Sequence, residues 1–392
     1  MATYNQKTKV WSGRSLPYPY PLDVYLGEEI LKNFDETPDR ILQICHEERV
    51  ETTCEQMKLK TIRVAENLTK LGIHADDVVG FICRNSENIK ALVFACIVIG
   101  APLSSLDVMI NKDDIKQMYE QTKPKLVFCD NNVYETTKAA LDELQNEAKV
   151  YTILQKIEGV PFVDELFEAT NTEKSYIAPK FELDASKKLL AILCSSGTTG
   201  PAKGVCLSHT TNALSFAKLF EFPIPYRSLC FSPIFWGSGF YSTILSPFRL
   251  KETRVITRNS FSVELFVELV EKYKVNIIYC APTEIALLLQ SNLVNTTDLS
   301  SIMVFVCFGN IVNEQLREKF NNVFPNKLLV VSFALSEISV TLMMPGDSLD
   351  GLTTGQILPN IQVKVVDENG ASLGTNEKGE ILAKSQFDFL VS

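Results

Sequence analysis

With 392 residues, the chain exceeds one small module and suits a large multi-lobed core or roughly two to three ordinary domains. Hydrophobic residues at 46% against 22% charged, with 18 Gly and 17 Pro, exclude a disordered, collagenous or low-complexity chain. Thirty-eight Lys and Arg against 47 Asp and Glu leave a net charge of -9 and no global field that favours nucleic acid, so a nucleotide partner needs a local site.

In chain order, Met1 to Lys9 is polar, and the acidic stretch Glu28 to Asp39 reads as a solvated face. Between Glu55 and Gly72, residues Leu59, Ile62, Ala65, Leu68 and Leu71 form one helical stripe, with Gly72 where a C-terminal cap is wanted. A β-like run at Val78 to Ile82, an apolar helix at Asn88 to Ile99, a polar helix at Lys112 to Thr122 and a second β-like run at Leu126 to Cys129 follow. The longest apolar run, Ala91 to Leu103, is broken by Gly100 and Pro102 and is too short to span a bilayer, so neither a signal peptide nor a transmembrane helix is expected. Asn171 to Lys188 is polar and reads as a long surface connection.

The alternation resumes with strands at Leu189 to Cys194, Val275 to Cys280, Ile302 to Cys307 and Leu328 to Ser332, and helices at Glu284 to Gln290 and Glu314 to Phe320. This predicts an α/β fold of layered, mostly parallel sheets with helices. From Gly351 the texture changes to alternation at Ile361 to Val366, an Asn-Gly turn within Asp367 to Gly370 and a strand start at Gly379 to Ala383. The expected domains are therefore a large one over 1–350, with two α/β subdomains, and a small antiparallel β unit over 351–392. That unit reads as incomplete because Ser392 directly follows the apolar Phe387 to Val391.

Ten Cys without a C-x-x-C pair and only three His fit neither a zinc framework nor a disulfide scaffold, and point to a reducing compartment. The most informative segment is Ser195-Ser196-Gly197-Thr198-Thr199-Gly200-Pro201-Ala202-Lys203-Gly204, which follows an apolar strand. A polyphosphate needs donors without bulk, and this segment offers hydroxyls, unhindered amides and one ammonium. Its composition also suits a flexible surface loop, but Lys203 and the preceding strand favour a phosphate cradle. Ala202 and Gly204 stand where a Walker A loop needs Gly and a hydroxyl, so a GTPase-like P-loop is not expected. No G-x-S-x-G is present, which argues against an α/β-hydrolase. His209 reads as a local hydrogen-bonding residue rather than a general base.

Ser195 to Gly204 resembles the signature of the adenylate-forming enzymes, the acyl-CoA synthetases, 4-coumarate-CoA ligases and beetle luciferases. Three further segments follow in the family's order. Phe333-Ala334-Leu335-Ser336-Glu337 resembles the aromatic-Gly-x-Thr-Glu motif, Thr354-Gly355-Gln356 a later Gly motif, and Lys378-Gly379-Glu380-Ile381 the Arg-Gly-Glu-Leu element. The resemblance spans about Thr52 to Ala383 and implies the large N-terminal domain of an ATP-dependent acid-thiol ligase. Its partners would be ATP, Mg²⁺, coenzyme A and a fatty or aryl acid.

By that resemblance Ser195, Ser196, Gly197, Thr198, Thr199, Gly200 and Lys203 surround the β- and γ-phosphates. Ser336 stands in for the usual Thr at the α-phosphate, Ala334 and Leu335 flank the nucleotide, and Glu337 holds Mg²⁺. Taken alone, Glu337 also suits a helix start. The departures are informative. Phe235-Trp236-Gly237-Ser238-Gly239 replaces a His-containing step, so Trp236, with Ser238 and Gly239, reads either as an acyl-pocket wall or as a packed core residue. Phe308-Gly309-Asn310 replaces a small Gly-Gly-Ala step, leaving Gly309 and Asn310 as adenine neighbours and Phe308 beside the acyl pocket.

The resemblance further implies a C-terminal lid domain carrying a catalytic Lys, which this chain would lack. Alternatives are a non-catalytic acyl- or nucleotide-binding protein and a luciferase-like monooxygenase. A complete form is expected in the peroxisome and this chain in the cytoplasm, since Leu390-Val391-Ser392 is no peroxisomal address.

Overall fold

Short apolar runs became strands, and the amphipathic stretches between them became covering helices. The computed structural model describes residues 2–15, 25–181, 184–195, 203–210, 225–245, 251–338, 341–344, 355–385 and 390. Its first strands are β1 (Thr3–Asn5), β2 (Val10–Ser12), β3 (Ile41–Cys45), β4 (Val50–Thr53), β5 (Val79–Ile82), β6 (Leu103–Leu106), β7 (Leu126–Cys129) and β8 (Lys149–Thr152). Next come β9 (Leu189–Ser195), β10 (Lys203–Ser208), β11 (Arg227–Cys230), β12 (Thr253–Ile256), β13 (Ile277–Cys280), β14 (Val304–Cys307) and β15 (Leu328–Val331). The last are β16 (Phe333–Ala334), β17 (Thr341–Met344), β18 (Gln356–Ile357), β19 (Gln362–Val366) and β20 (Glu380–Lys384). The chain divides into two units, Met1–Pro21 with Phe261–Phe389, and Leu22–Ser260 with Leu390–Ser392.

In the unit built on Leu22–Ser260, a six-stranded sheet has the order β10-β9-β6-β5-β7-β8. Every pair is parallel except β9 with β10. Helix Ile89–Ile99 is buried along its whole length, which fits a sequence that is apolar at every position except Lys90. Helix Lys112–Thr122 starts where the Asn111 side chain accepts from the Asp114 amide, and it buries Ile115, Met118 and Tyr119. Strands β11, β12, β3 and β4 lie side by side, the last pair antiparallel.

Helix Cys54–Lys70 begins with a capping box between Thr53 and Gln56. It ends at Gly72, whose φ of 83° lets the Ile73 amide return to the Leu68 carbonyl. Its buried face differs from the expected stripe. Met57, Thr61, Val64, Ala65 and Leu68 are buried, whereas Leu59 is 40% exposed, because helical spacing rotates it away from the Ile62 and Ala65 side. The acidic stretch after Tyr25 is helix Leu26–Glu36. Its charges are largely solvated as expected, but Ile30 and Phe34 anchor the opposite face in the core.

In the unit built on Phe261–Phe389, β13, β14 and β15 are consecutive parallel neighbours. Phe305 on β14 stands at the centre of an aromatic cluster, edge-on to Phe320 at 5.1 Å and near Phe324 at 5.3 Å and Phe266 at 6.4 Å. The antiparallel texture after Gly351 appears as β19 with β20; β19 runs into the Asp367 to Gly370 turn, where Asp367 Oδ1 accepts from the Asn369 and Ala371 amides and the chain folds back so that Ser372 bridges Val366. The polar N-terminus supplies β1 and β2 to this same sheet, in the order β1-β2-β19-β20. A separate antiparallel set joins β16, β17 and β18. None of the ten cysteines is in a disulfide. Among the described residues, no helix is long and apolar enough to cross a membrane.

Candidate functional site

The Ser/Thr/Gly loop joins the two antiparallel strands of a hairpin. Ser195 on β9 lies opposite Lys203 on β10, so this pair closes the base of the loop. Ser196, Gly197, Thr198, Thr199 and Gly200 lie outside the described residues, as does Thr354. Lys203 is exposed where the loop re-enters the sheet. A Walker A loop runs from a strand into a helix, and here the chain returns as a strand, so a phosphate at this loop would depend on amides, hydroxyls and Lys203 rather than on a helix terminus. Gly204 keeps the hairpin close to the sheet, since a Cβ there would stand 2.8 Å from Ile192 Cγ2.

Behind the hairpin, His209 is buried and its Nδ1 accepts from the Leu26 amide at 3.4 Å. Burial, aided by the Lys188 charge, pushes the imidazole down to about 3, so it is neutral and serves as an acceptor. This matches the local hydrogen-bonding role expected for it.

Beyond β11 the chain makes a tight turn. The Trp236 amide donates to the Pro233 carbonyl at 3.2 Å, and the Phe240 amide donates to the Trp236 carbonyl at 2.8 Å. Gly239 is required by this geometry, because a Cβ there would come within 1.9 Å of the Pro233 oxygen. Trp236 is 45% exposed and leans on Phe235 with ring centroids 5.1 Å apart. The packed-core alternative for this residue is therefore corrected: the buried member of the pair is Phe235, and the turn carries the indole outward. Ser238 on the same turn is half-buried.

The remaining candidates belong to the other unit and gather at one edge of its parallel sheet. Phe308, Gly309 and Asn310 leave the carboxyl end of β14, and Phe333 to Glu337 leave that of β15. The Phe308 amide donates to the Cys280 carbonyl at 3.2 Å and the Ser332 amide to the Cys307 carbonyl at 2.8 Å, so the three strand ends are stitched together. Carboxyl ends of parallel strands are where open α/β sheets hold ligands.

Gly309 has φ of 98°, and nothing lies within 4 Å of a Cβ built on it. Asn310 is exposed, its Oδ1 accepting from the Ile311 amide at 2.8 Å. Ala334 is exposed, while Leu335 packs against Ile338, Ile361 and Val363. That packing holds a short helical turn, Ser336–Ile338, with Ser336 and Glu337 half-buried. A single carboxylate with room for phosphate and water oxygens suits Mg²⁺, which binds few protein ligands. Among the described residues no cluster of three or more His, Cys, Asp or Glu could hold a metal by itself.

Two supporting residues escaped the sequence reading. Tyr279 on β13 stacks with Phe308, centroids 6.2 Å apart at 26°. Asn85, after β5, donates from Nδ2 to the Ser232 carbonyl at 3.1 Å. The aromatic residue at the end of an apolar run was the available signal for Tyr279, and Asn85 had none.

Residues 31–389 match the family described as AMP-binding enzyme. 4-Coumarate-CoA ligase 4 of Arabidopsis thaliana is 24% identical over 348 residues, covering 82% of this chain and 59% of the plant protein. Luciferin 4-monooxygenase of Photinus pyralis is 25% identical over 392 residues, covering 93% of this chain and 69% of the relative. The chain thus spans about three-fifths to seven-tenths of these relatives. Among solved structures, the luciferase-like enzyme of the nonluminescent mealworm Zophobas morio superposes with a TM-score of 0.87 at 23% identity, covering 96% of this chain and 90% of that one. The anthranilate CoA ligase AuaEII, in complex with anthranoyl-AMP, gives 0.85 at 16% identity, covering 95% and 71%. The ordered motifs, the parallel-strand edge on which two of them sit, and a match over nearly the whole length together place this chain in the AMP-binding enzyme family of the adenylate-forming superfamily.

Proposed function

We propose that the protein activates a carboxylic acid, fatty or aryl, by transfer of the adenylyl group of ATP, and passes the acyl group on to coenzyme A. The observation that carries this reading is the edge where Phe308 to Asn310 and Phe333 to Glu337 emerge from adjacent parallel strands, inside a chain of this family. A carboxylate is a poor acyl donor because its oxygen leaves badly. When a carboxylate oxygen attacks the α-phosphorus of ATP, the bond to the bridging oxygen breaks and pyrophosphate departs, so the same oxygen can later leave as AMP.

In this reading Lys203 offsets the charge that develops on pyrophosphate, and Ser336 donates its hydroxyl to the α-phosphate. Gly309 and Asn310 border the adenine, and Trp236 is a wall for the acid. Glu337 would hold Mg²⁺, which supplies charge neutralisation on the phosphates. Coenzyme A then takes the acyl group through its sulfur, with AMP as leaving group.

Pyrophosphate release from ATP, followed across a panel of short, long and aromatic acids, tests the reading. Acid-dependent release is expected. ATP binding without release for any acid would make the protein a non-catalytic binder, and light emission with an oxidisable acid under oxygen would favour the luciferase-like alternative found among its relatives.

A further inference from the structure

We infer that Asn85 is a positioning residue that sets the Trp236 turn; the consequence for acid selection rests on the reading of Trp236 given above. Asn85 is 4% exposed, and its Nδ2 donates to the Ser232 carbonyl, 3.1 Å away. Its Oδ1 is buried without a hydrogen-bond partner. A buried amide is costly unless paired, so the bond to Ser232 is the interaction that justifies a polar side chain here.

The carbonyl it grips lies directly at the root of the turn. Ser232 and Pro233 oxygens are the atoms a Cβ on Gly239 would meet, at 2.6 and 1.9 Å, and the Pro233 oxygen receives the Trp236 amide. A small rotation of the Ser232 peptide would therefore move both ends of the turn together. Asn85 is itself held. Asp130 Oδ2 accepts from the Arg84 amide at 3.2 Å, and Gln43 Nε2 donates to the Glu87 carbonyl at 3.0 Å, fixing the loop on both sides of Asn85. On the strand side, buried Arg254 donates from Nη2 to the Cys230 carbonyl at 2.8 Å. Side chains from three separate elements thus pin main-chain carbonyls before the turn or beneath its support, and Asn85 makes the last such contact before Trp236.

The chain has two tryptophans, so Trp11→Phe leaves Trp236 as the sole indole reporter. In that background, Asn85→Ala removes the amide, and Asn85→Asp keeps its size while removing the donor. Asn67→Ala serves as the control, because Asn67 Nδ2 makes the same kind of bond to the Leu166 and Glu168 carbonyls elsewhere in the same unit.

Both Asn85 variants should change acrylamide quenching of Trp236 by about twofold and shift the kcat/KM ratio between a bulky and a small acid by about fivefold to tenfold, the scale of one lost hydrogen bond. Asn67→Ala should lower the melting temperature and alter neither. Trp236→Ala separates the two readings. If it shifts the acid ratio while both folded Asn85 variants leave quenching and ratio unchanged, the positioning role is overturned. If Trp236→Ala leaves the ratio unchanged but the Asn85 variants still alter quenching, the hold on the turn stands and the acid-pocket reading of Trp236 falls.

Discussion

The β9–β10 hairpin and the carboxyl edge of β13–β15, which hold the proposed phosphate and nucleotide contacts, rest on different foundations. The edge is backed by rings: Phe305 sits fully buried among Phe266, Phe320 and Phe324, and the strand ends are joined by the Phe308 and Ser332 amides. The hairpin is anchored by a polar contact, the neutral imidazole of His209 directly after β10 accepting from the Leu26 amide. Apolar packing is nearly indifferent to pH and sensitive to lost volume, whereas a buried imidazole is sensitive to protons. The two supports should therefore fail under different insults.

The largest expected effect breaks the edge from behind. Phe305→Ala removes the ring at the centre of the cluster and should cost about 3–5 kcal/mol of unfolding free energy, measured by urea titration. A loss below about 1 kcal/mol would mean that the cluster closes over the gap and that the edge does not depend on it.

Next come the two charges that the regions present. Lys203→Ala at the hairpin and Glu337→Ala at the edge should each slow acid-dependent pyrophosphate release by about 10²- to 10³-fold, in line with single electrostatic groups in other sites. Since Lys203 is exposed, its replacement should leave stability within about 0.5 kcal/mol. Unchanged release in either variant, alongside an unchanged melt, would remove that residue from the phosphate site.

The hairpin's own weakness is acid. The unfolded imidazole binds a proton near its ordinary value of 6.5, whereas folded His209 is pushed down to about 3, so between these values the unfolded state holds more protons. Stability from this group is complete above about pH 6.5 and falls by about 1.4 kcal/mol per pH unit below it, or about 2 kcal/mol by pH 5. His209→Asn places an amide oxygen where Nδ1 accepts and should flatten that part of the profile. Parallel melting curves of both proteins from pH 7.5 to 5 would refute the assignment.

The contrast also explains what could be read in advance. Lys112–Thr122 and Leu126–Cys129 were legible to the residue because capping, apolar period and length are local properties. Family membership was legible because its motifs are short runs of restricted residue types in a fixed order, and residues 31–389 match that family. Pairing at long range was not: β1 and β2 are only three residues each, and β2 finds its second neighbour in β19, far along the chain. Strand β10 was missed for a related reason, since its start at Lys203 and Gly204 looks like the end of a Gly-rich loop until β9 is laid beside it. Trp236 was ambiguous because an aromatic residue between apolar neighbours suits a core as well as a pocket, and only the turn forced by Gly239 decides its exposure.

The smallest effect separates backbone from bulk at Gly309. Its φ of 98° disfavours any side chain, yet a Cβ would meet nothing within 4 Å, so Gly309→Ala should cost only the conformational preference, about 1–2 kcal/mol. Asn tolerates positive φ better than Ala, and Gly309→Asn should recover part of that loss. Nucleotide affinity should follow another order. If adenine approaches the backbone here, added bulk is what matters, and Asn should weaken ATP binding at least as much as Ala although it folds more stably. Melting temperature and calorimetric ATP titration on the pair resolve the two orders. Affinity that tracks stability in both variants would show that Gly309 serves the turn alone and would move the adenine away from this edge.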